Sequence, residues 1–289
     1  MRDYLDENVH FCRHKLKESN LKSDFRLYKE ILEWIALQSS KIYRKFSDEK
    51  ESSFYPIPGA RSVGNTLDGI IKLIEIADVT DAFVLTRKLR DVLFLDLVIL
   101  WDGHINGIDK IGGNITDTKV YKDEKKKVSE WLNGKVFKYG NRQDIRYYDY
   151  TNYKKIINKN DTIKLLFQTY FDDRDNEISK NLNDYVHING FDKVDNIYIF
   201  QFKPDFCNEL GRIIKTIMVE YISTLFIIKS SLFASSDYID NLESEIEPEN
   251  GSQFWVIPSI TKFVNKIIKK EFKDVYRFIK NNQSEIMKI

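Results

Sequence analysis

The stretch LTRKLRDVLFLDLVILW, residues 85–101, decides the fold. Its second half is apolar on nearly every side of a helix, a pattern typical of a helix buried at the centre of a bundle. Its first half is charged, and Arg87 and Asp91, four residues apart, share one helical face. A charge beside so apolar a run is costly to bury unless it finds a partner. Arg87 and Asp91 are therefore candidates for a functional site or for a buried ion pair.

A second polar cluster, LNDYVHING at residues 182–190, holds one of the four histidines of the chain. Asn183 lies four residues before His187 and Asp184 lies three before it, so both share a helical face with the histidine. Asp184 could hold the imidazole in one tautomer and raise its basicity, as acid–base catalysis requires. Gly190 is a natural C-cap, which places His187 in a last helical turn, where it acts as a catalytic group or simply caps the helix.

Composition and charge point to a soluble globular protein without a bulk preference for polyanions. Hydrophobic residues make up 42% of the 289 positions, which is enough for a sizeable core, and five prolines argue against a turn-rich all-β fold. The formal net charge of +1 favours neither nucleic acid nor membrane, so any such preference must come from local patches.

Neither a secretion signal nor a membrane span is expected. The N-terminus lacks the apolar core of a signal peptide. The apolar run at residues 213–233 is interrupted by Lys215, Glu220 and Lys229, so a buried amphipathic helix fits it better than a membrane span of about 20 apolar residues. We therefore expect a cytoplasmic protein.

Helical periodicity dominates the chain and predicts a mainly α fold, a helical bundle with an irregular middle and at most one short strand or hairpin. We expect helices at residues 21–46, 62–77, 78–101, 121–132, 162–171, 175–186, 205–233 and 259–280. Ser62 is the expected N-cap of the second of these helices. The segment VDNIYIFQF, residues 194–202, alternates in the manner of a short strand.

Three parts are expected along the chain. Residues 1–234 form the bundle, with residues 103–160 as a glycine-punctuated, basic and aromatic insertion. Residues 235–251 carry six acids and no base, and we expect an exposed acidic linker there. Residues 252–289 form a basic amphipathic helix that packs its apolar face on the bundle.

The insertion combines basic and aromatic residues in a way that suits single-stranded nucleic acid. Basic side chains neutralise phosphates, while aromatic rings stack on unpaired bases. The candidates for binding are Arg142, Arg146, Tyr147, Tyr148, Lys154 and Lys155. A solvated, tyrosine-rich packing loop has the same composition, so both interpretations stay open.

No motif for a cofactor or a metal ion stands out. The chain has neither a phosphate-binding glycine loop nor paired CxxC motifs. His10 and His14 lie one helical turn apart without an evident third ligand, and Cys12 and Cys207 lack metal-type spacing, as expected of reduced thiols. We therefore expect no cofactor and no metal.

Taken together, the two polar clusters resemble motifs of a known group. An LxRxLxD/E helix followed much later by an LNxYvHxNG-like helix is similar to uncharacterised bacterial helical proteins related to the HEPN superfamily (the higher-eukaryote and prokaryote nucleotide-binding helical domains). The resemblance implies an α-helical bundle. In active members it also implies metal-independent RNA cleavage, often in toxin–antitoxin, abortive-infection or other antiphage systems.

The resemblance also implies roles for individual residues. In these RNases a histidine and an arginine, usually on one helix, act on the 2′-hydroxyl and the scissile phosphate. His187 would then be the general acid–base. Residues 180–182, where the signature arginine would stand, hold no arginine, so Arg87 would stabilise phosphate charge from another helix. Asp184 or Asp91 would orient the two groups.

Two hypotheses follow from these patterns. The first is a HEPN-like protein of bacterial defence or stress that binds or cleaves RNA by metal-independent acid–base chemistry. Its catalytic residues would be His187, Arg87, Asp91, Asp184 and Asn183. The second is a non-catalytic helical interaction module or scaffold in which the same cluster is structural. The partners expected are RNA, a second copy of the chain, or another protein.

Overall fold

The computed structural model describes residues 2–46, 58–104, 153–154, 157–187, 205–244, 246 and 255–284. Eleven α-helices are described: α1 (Arg2–Glu18), α2 (Leu21–Phe46), α3 (Pro58–Glu75), α4 (Val79–His104), α5 (Asp161–Tyr170), α6 (Asp172–His187), α7 (Phe206–Lys229), α8 (Ser236–Glu243), α9 (Pro258–Phe263), α10 (Lys269–Glu271) and α11 (Lys273–Asn282). The β structure in the described residues is a single isolated antiparallel bridge between Ala234 and Val256. The prediction of a mainly α bundle is confirmed.

The centre of the bundle is formed by α4 and α7, which pack against each other. As predicted for the apolar half of residues 85–101, most of its large side chains are buried; they are Leu93, Phe94, Leu97, Val98 and Leu100. Together with the 3₁₀ turn that follows it, α7 is long and apolar enough to cross a membrane, yet 89% of its most apolar window is buried inside the bundle. Such extensive burial is typical of a helix in the core of a bundle.

The N-terminus of α3 lies on a buried carboxyl group of α4. Asp96 is 1% exposed, and the backbone N–H of Ala60 donates a hydrogen bond to it. Burial raises the pKa of Asp96 well above its ordinary value, and the hydrogen bond from Ala60 offsets part of that rise. Gly59 permits this approach, because a Cβ at that position would overlap the Asp96 carboxyl group.

This contact explains why the predicted start of α3 is wrong. Ser62 does not cap the helix. α3 begins at Pro58, a residue suited to the first turn because it lacks the N–H that would remain unpaired there. Ser62 lies inside the helix, where its carbonyl oxygen accepts a hydrogen bond from Thr66 Oγ1 at 3.1 Å. Asp96, distant in sequence, takes the place of a local capping residue.

Two later segments contain features that the sequence did not predict. Residues 235–251, predicted to be an exposed linker, contain the short helix α8, and the Tyr238 ring of this helix lies 5.1 Å from the ring of Trp255. The C-terminal helix packs on α2, α5 and α7, but it is not one continuous helix. A π-helical turn, Val264–Ile268, interrupts it, and Phe272 (φ −130°, ψ 51°) leaves the helical conformation.

Several predicted features lie outside the described residues. They are the helix at residues 121–132, the strand at residues 194–202 and most of the insertion at residues 103–160.

Replacing Gly59 tests the contact between α3 and α4. We expect Gly59→Ala to lower the free energy of unfolding by about 1–3 kcal/mol, because the added methyl group must displace the Asp96 carboxyl group. Gly64→Ala in the same helix is the control: its Cβ would lie 3.4 Å from Cγ of the flexible Lys29 side chain. There alanine should be neutral, or stabilise the helix by up to about 1 kcal/mol. Urea denaturation measures both, and equal stability of the two variants would contradict the described packing.

Candidate functional site

The two polar clusters predicted from the sequence lie on neighbouring helices. α4 and α6 pack against each other. Arg90 of α4 contacts Ser179 of α6, whereas Phe83, about two turns earlier on α4, stacks on Tyr185 with ring centroids 4.1 Å apart. The two helices are therefore antiparallel. We define the α4–α6 seam as the contact of Phe83 and Arg90 of α4 with Ser179 and Tyr185 of α6, together with the predicted positions on the same two helices, which are Arg87, Asp91, Asn183, Asp184 and His187.

The buried cation of the seam is Arg90, which is not among the predicted site residues. Its side chain is 3% exposed. Nη1 donates to Ser179 Oγ at 2.8 Å, and Nε and Nη2 lie 3.4 and 3.3 Å from Asp91 Oδ1. Helical spacing does signal this burial, because Arg90 stands three and four residues before the buried Leu93 and Phe94. Arg90 thus joins the two helices at a fixed register.

Arg87 and Asp91 lie at the solvent edge of the seam. Their side chains are 29% and 37% exposed, and Nε of Arg87 lies 4.0 Å from Asp91 Oδ2. This distance makes an ion pair but is too long for a hydrogen bond. Asp91 is closer to Arg90 than to Arg87. The predicted pair therefore exists, but it is not sealed in the core, and the Arg87 guanidinium can meet an anion from solvent.

On α6 the seam continues towards the end of the helix. Asn183 and Asp184 are half-buried, and Asn183 lies one turn beyond Ser179. His187 is the last residue of α6 that the structure describes, and its side chain lies outside the described residues. From the antiparallel register, position 187 is about 8 Å further along the seam than Arg87, at a rise of about 1.5 Å per residue. That separation is within the combined length of an arginine and a histidine side chain.

Among the predicted nucleic-acid-binding residues, Lys154 is described, while Arg142, Arg146, Tyr147, Tyr148 and Lys155 lie outside the described residues. The Lys154 side chain is 19% exposed; its Nζ lies 2.9 Å from Asp172 Oδ1 and also pairs with Asp175. The same ammonium lies 5.4 Å from the ring centroid of Phe167. These contacts hold Lys154 against α5 and α6, so its role here is to support the bundle.

Behind the seam lies a buried acid that the predictions did not include, Glu220 of α7. It is 1% exposed, and neither carboxyl oxygen is hydrogen-bonded to any residue in the described ranges. Burial, and next the negative charge of Asp175, raises the pKa of Glu220 well above its ordinary value. The cations Lys154, Arg90 and Arg174 oppose this rise. The direction of this shift favours the protonated form of the Glu220 carboxyl group.

The sequence did contain a signal for Glu220. It is the acid that interrupts the apolar run at residues 213–233, at a position where every neighbouring residue of α7 is buried. In the sequence alone, that interruption argued only against a membrane span. The partners that make the position an electrostatic centre come from α4, α6 and the residues before α5, which no local pattern reveals.

Within the described residues, no group of three or more histidine, cysteine or carboxylate side chains is arranged to hold a metal ion. His14 of α1 pairs with Glu18 at the surface, Nε2 to Oε1 3.2 Å. With His10 it lines an open depression of about 470 Å³ whose other lining residues also belong to α1. This depression is therefore separate from the α4–α6 seam.

The seam offers a definite set of chemical groups. Arg87 presents a half-exposed guanidinium, which suits a phosphate because it can donate two parallel hydrogen bonds. Asp91 lies beside that guanidinium at ion-pair distance, and Asp184 stands three residues before His187, where a carboxylate can orient an imidazole. An imidazole beside a guanidinium can move a proton next to a stabilised negative charge.

Comparison with models of known protein families, with curated proteins and with solved structures gives no match. The resemblance to HEPN-related proteins therefore rests on the two sequence motifs that form the seam.

The two arginines of α4 should differ in their effect on stability. We expect Arg90→Ala to lower the free energy of unfolding by about 2–4 kcal/mol, because Ser179 and Asp91 lose a buried charged partner. Arg87→Ala removes a half-exposed ion pair and should cost less than about 1 kcal/mol. Urea denaturation of the two variants in parallel measures the difference. A larger loss for Arg87→Ala would mean that the burial of the two side chains is the reverse of that described.

Glu220→Gln should change how stability depends on pH. The pKa of Glu220 is higher in the folded state than its unfolded-state value of 4.5. The contribution of this side chain to the free energy of unfolding is therefore complete below pH 4.5. That contribution is lost as the pH rises through the folded-state pKa. We therefore expect the variant to gain stability over wild type with rising pH, reaching about 1–3 kcal/mol above neutrality. Urea titrations at several pH values measure this gain.

The matched control for that measurement is Glu33→Gln, which changes an exposed acid of α2. Its stability should follow the wild-type curve at every pH. Asp96 is present in all three proteins, so its own titration cancels from the differences. A constant difference between wild type and Glu220→Gln across the pH range would show that Glu220 does not titrate abnormally.

Proposed function

We propose that this chain is a HEPN-like, cytoplasmic protein of bacterial defence or stress that binds and cleaves RNA at the α4–α6 seam without a metal ion. The observation that carries the proposal is the half-exposed Arg87 guanidinium, on a helix that packs antiparallel to α6, whose last residue is His187. Two residues distant in sequence thus belong to helices that pack together, which supports a shared phosphate site.

In the proposed reaction, His187 accepts the proton of a ribose 2′-hydroxyl. The 2′-oxygen then attacks the adjacent phosphorus, and the bond to the 5′-oxygen of the next nucleotide breaks. The protonated imidazole returns a proton to that leaving oxygen. The products are a 2′,3′-cyclic phosphate and a 5′-hydroxyl end, so no external oxidant or cofactor is needed.

Arg87 stabilises the extra negative charge that the phosphate oxygens carry in the transition state. Asp91 restrains the Arg87 side chain, and Asp184 holds the His187 imidazole in the tautomer that accepts the proton. Arg90 takes no part in the chemistry. Its buried contact with Ser179 of α6 holds the two helices in register, while its contact with Asp91 lies within α4, and this register supports the positions of the reacting groups.

A second candidate function is a non-catalytic interaction module or scaffold. The observation that favours it is again Arg90, since a buried arginine satisfied by Ser179 and Asp91 needs no purpose beyond holding α4 against α6. On this hypothesis Arg87 and Asp91 are a surface pair of little energetic value. The partner would then be a second copy of the chain or another protein.

Cleavage of single-stranded RNA in the presence of EDTA distinguishes the two functions. We expect His187→Ala and Arg87→Ala each to lower the cleavage rate by about 100-fold or more, with the fold retained by circular dichroism. His14→Ala and Arg61→Ala are matched controls on exposed positions of α1 and α3, and both should cleave as wild type does. The products should carry 2′,3′-cyclic phosphates.

If wild-type protein leaves RNA intact under these conditions, the catalytic proposal fails and the interaction module is favoured. The same holds if His187→Ala cleaves at the wild-type rate, because that activity would come from another site or from a contaminating nuclease.

A further inference from the structure

The C-terminal segment concentrates positive charge in a chain that is nearly neutral as a whole. Residues 258–284 hold seven basic residues and two acidic ones, whereas the entire chain has a formal net charge of only +1. The basic residues are Lys262, Lys266, Lys269, Lys270, Lys273, Arg277 and Lys280. A local excess of this size can attract a polyanion even when the net charge of the protein cannot.

Part of this charge is neutralised within the protein. Lys266 pairs with Asp24 of α2 at 3.0 Å, and Arg277 pairs with Asp274 at 3.0 Å. Glu271, the other acid of the segment, pairs with Lys215 of α7. The remaining exposed lysines form no ion pair with any residue that the structure describes; they are Lys262, Lys270, Lys273 and Lys280. Their positive charge is therefore directed to solvent.

An aromatic ring lies among these cations. On α11, Lys273, Tyr276 and Lys280 follow one another at spacings of three and four residues, so they share one side of the helix. Tyr276 is half-buried, and Nζ of Lys269 lies 4.8 Å from its ring centroid. We define these four residues, Lys269, Lys273, Tyr276 and Lys280, as the lysine–tyrosine face.

The apolar side of the same segment is buried against the rest of the bundle. Its buried residues are Ile260, Phe263, Val264, Ile267, Ile268, Val275 and Ile279, which belong to the core of the bundle. Among the described residues, the large hydrophobic side chains that are exposed all lie outside residues 258–284. A helix that binds a membrane surface needs a free apolar face to insert. The chemistry of this segment therefore favours the phosphates of a nucleic acid over a lipid surface.

We propose that the lysine–tyrosine face binds single-stranded RNA. Lysines contact phosphates as point charges and carry no sequence preference, while a tyrosine ring stacks on any unpaired base. A base that stacks on Tyr276 displaces the Lys269 ammonium from the ring, and that ammonium then pairs with the neighbouring phosphate. Stacking of this kind requires an unpaired base, which selects a single strand over a duplex.

This second surface goes beyond the proposed function, because it holds RNA whether or not the α4–α6 seam cleaves it. Its charge, its aromatic ring and its buried apolar side are independent of Arg87 and His187.

Binding of fluorescent oligouridine of about 16 nucleotides to the full chain tests the inference. We expect Lys273→Glu/Lys280→Glu to weaken binding at least tenfold at roughly 50 mM salt. The slope of log affinity against log salt should also fall by about 1.4, since each phosphate contact on a single strand contributes about 0.7. The control, Lys17→Glu/Lys72→Glu, makes the same change in net charge at exposed positions of α1 and α3 and should bind as wild type does.

Two variants of Tyr276 test whether its ring stacks on a base. Tyr276→Ala should weaken binding roughly tenfold through the loss of stacking, whereas Tyr276→Phe, which keeps the ring, should retain the wild-type affinity. Circular dichroism shows whether each variant is folded. A Tyr276→Ala variant that is folded and binds as tightly as Tyr276→Phe would overturn the stacking part of the inference.

Other outcomes would overturn the lysine–tyrosine face as a whole. One is equal weakening by the two double variants, which would mean a general charge effect. Another is wild-type binding to vesicles of phosphatidylserine and phosphatidylcholine without binding to oligouridine, which would identify a lipid surface. Affinity is measured separately from cleavage, so a wild-type protein that binds RNA but does not cut it counts against the seam only. A cutting protein whose affinity is unchanged in Lys273→Glu/Lys280→Glu counts against this face only.

Discussion

The burial of the Arg90 guanidinium between α4 and α6 is the constraint on which the rest of the site depends. A guanidinium that is 3% exposed must keep its partners, and Ser179 and Asp91 supply them. A slide of one helix by a single turn, about 5.4 Å, would separate Arg90 from Ser179 of α6, whereas the contact with Asp91 lies within α4 and would move with it. The register that Arg90 imposes therefore determines what stands opposite Arg87, and it leaves Arg87 itself at the solvent edge.

The polar residues of α4 thus divide into a buried member and an accessible pair. Arg90 is fully engaged inside the bundle, while Arg87 and Asp91 keep about a third of their side-chain surface in solvent. The division follows from position on the helix: Arg90 falls on the side of Leu93 and Phe94, and Arg87 falls at its border. A buried cation and an accessible ion pair are therefore supplied by neighbouring turns of one helix.

Periodicity predicted the elements well, because an amphipathic or wholly apolar helix is a local property of the sequence. α2 spans the predicted residues 21–46, and α4 is buried in its apolar half as expected. The prediction failed where the local structure depends on residues distant in sequence. The start of α3 depends on Asp96 of α4, and the environment of Glu220 depends on three other elements. The sequence predicts both polar clusters as candidates for a site, but the contact of Arg90 with Ser179 arises from packing between two segments that neither segment reveals alone.

Glu220 has a further consequence at the moment of synthesis, before the bundle exists. The emerging segment Phe206–Phe233 is long and apolar enough to be mistaken for a membrane helix. In the unfolded chain Glu220 has an ordinary pKa and is ionised, and an acidic group at the middle of such a helix opposes insertion by roughly 3 kcal/mol. The acid that weakens the folded core at high pH thus also lowers the tendency of the isolated segment to enter a lipid bilayer.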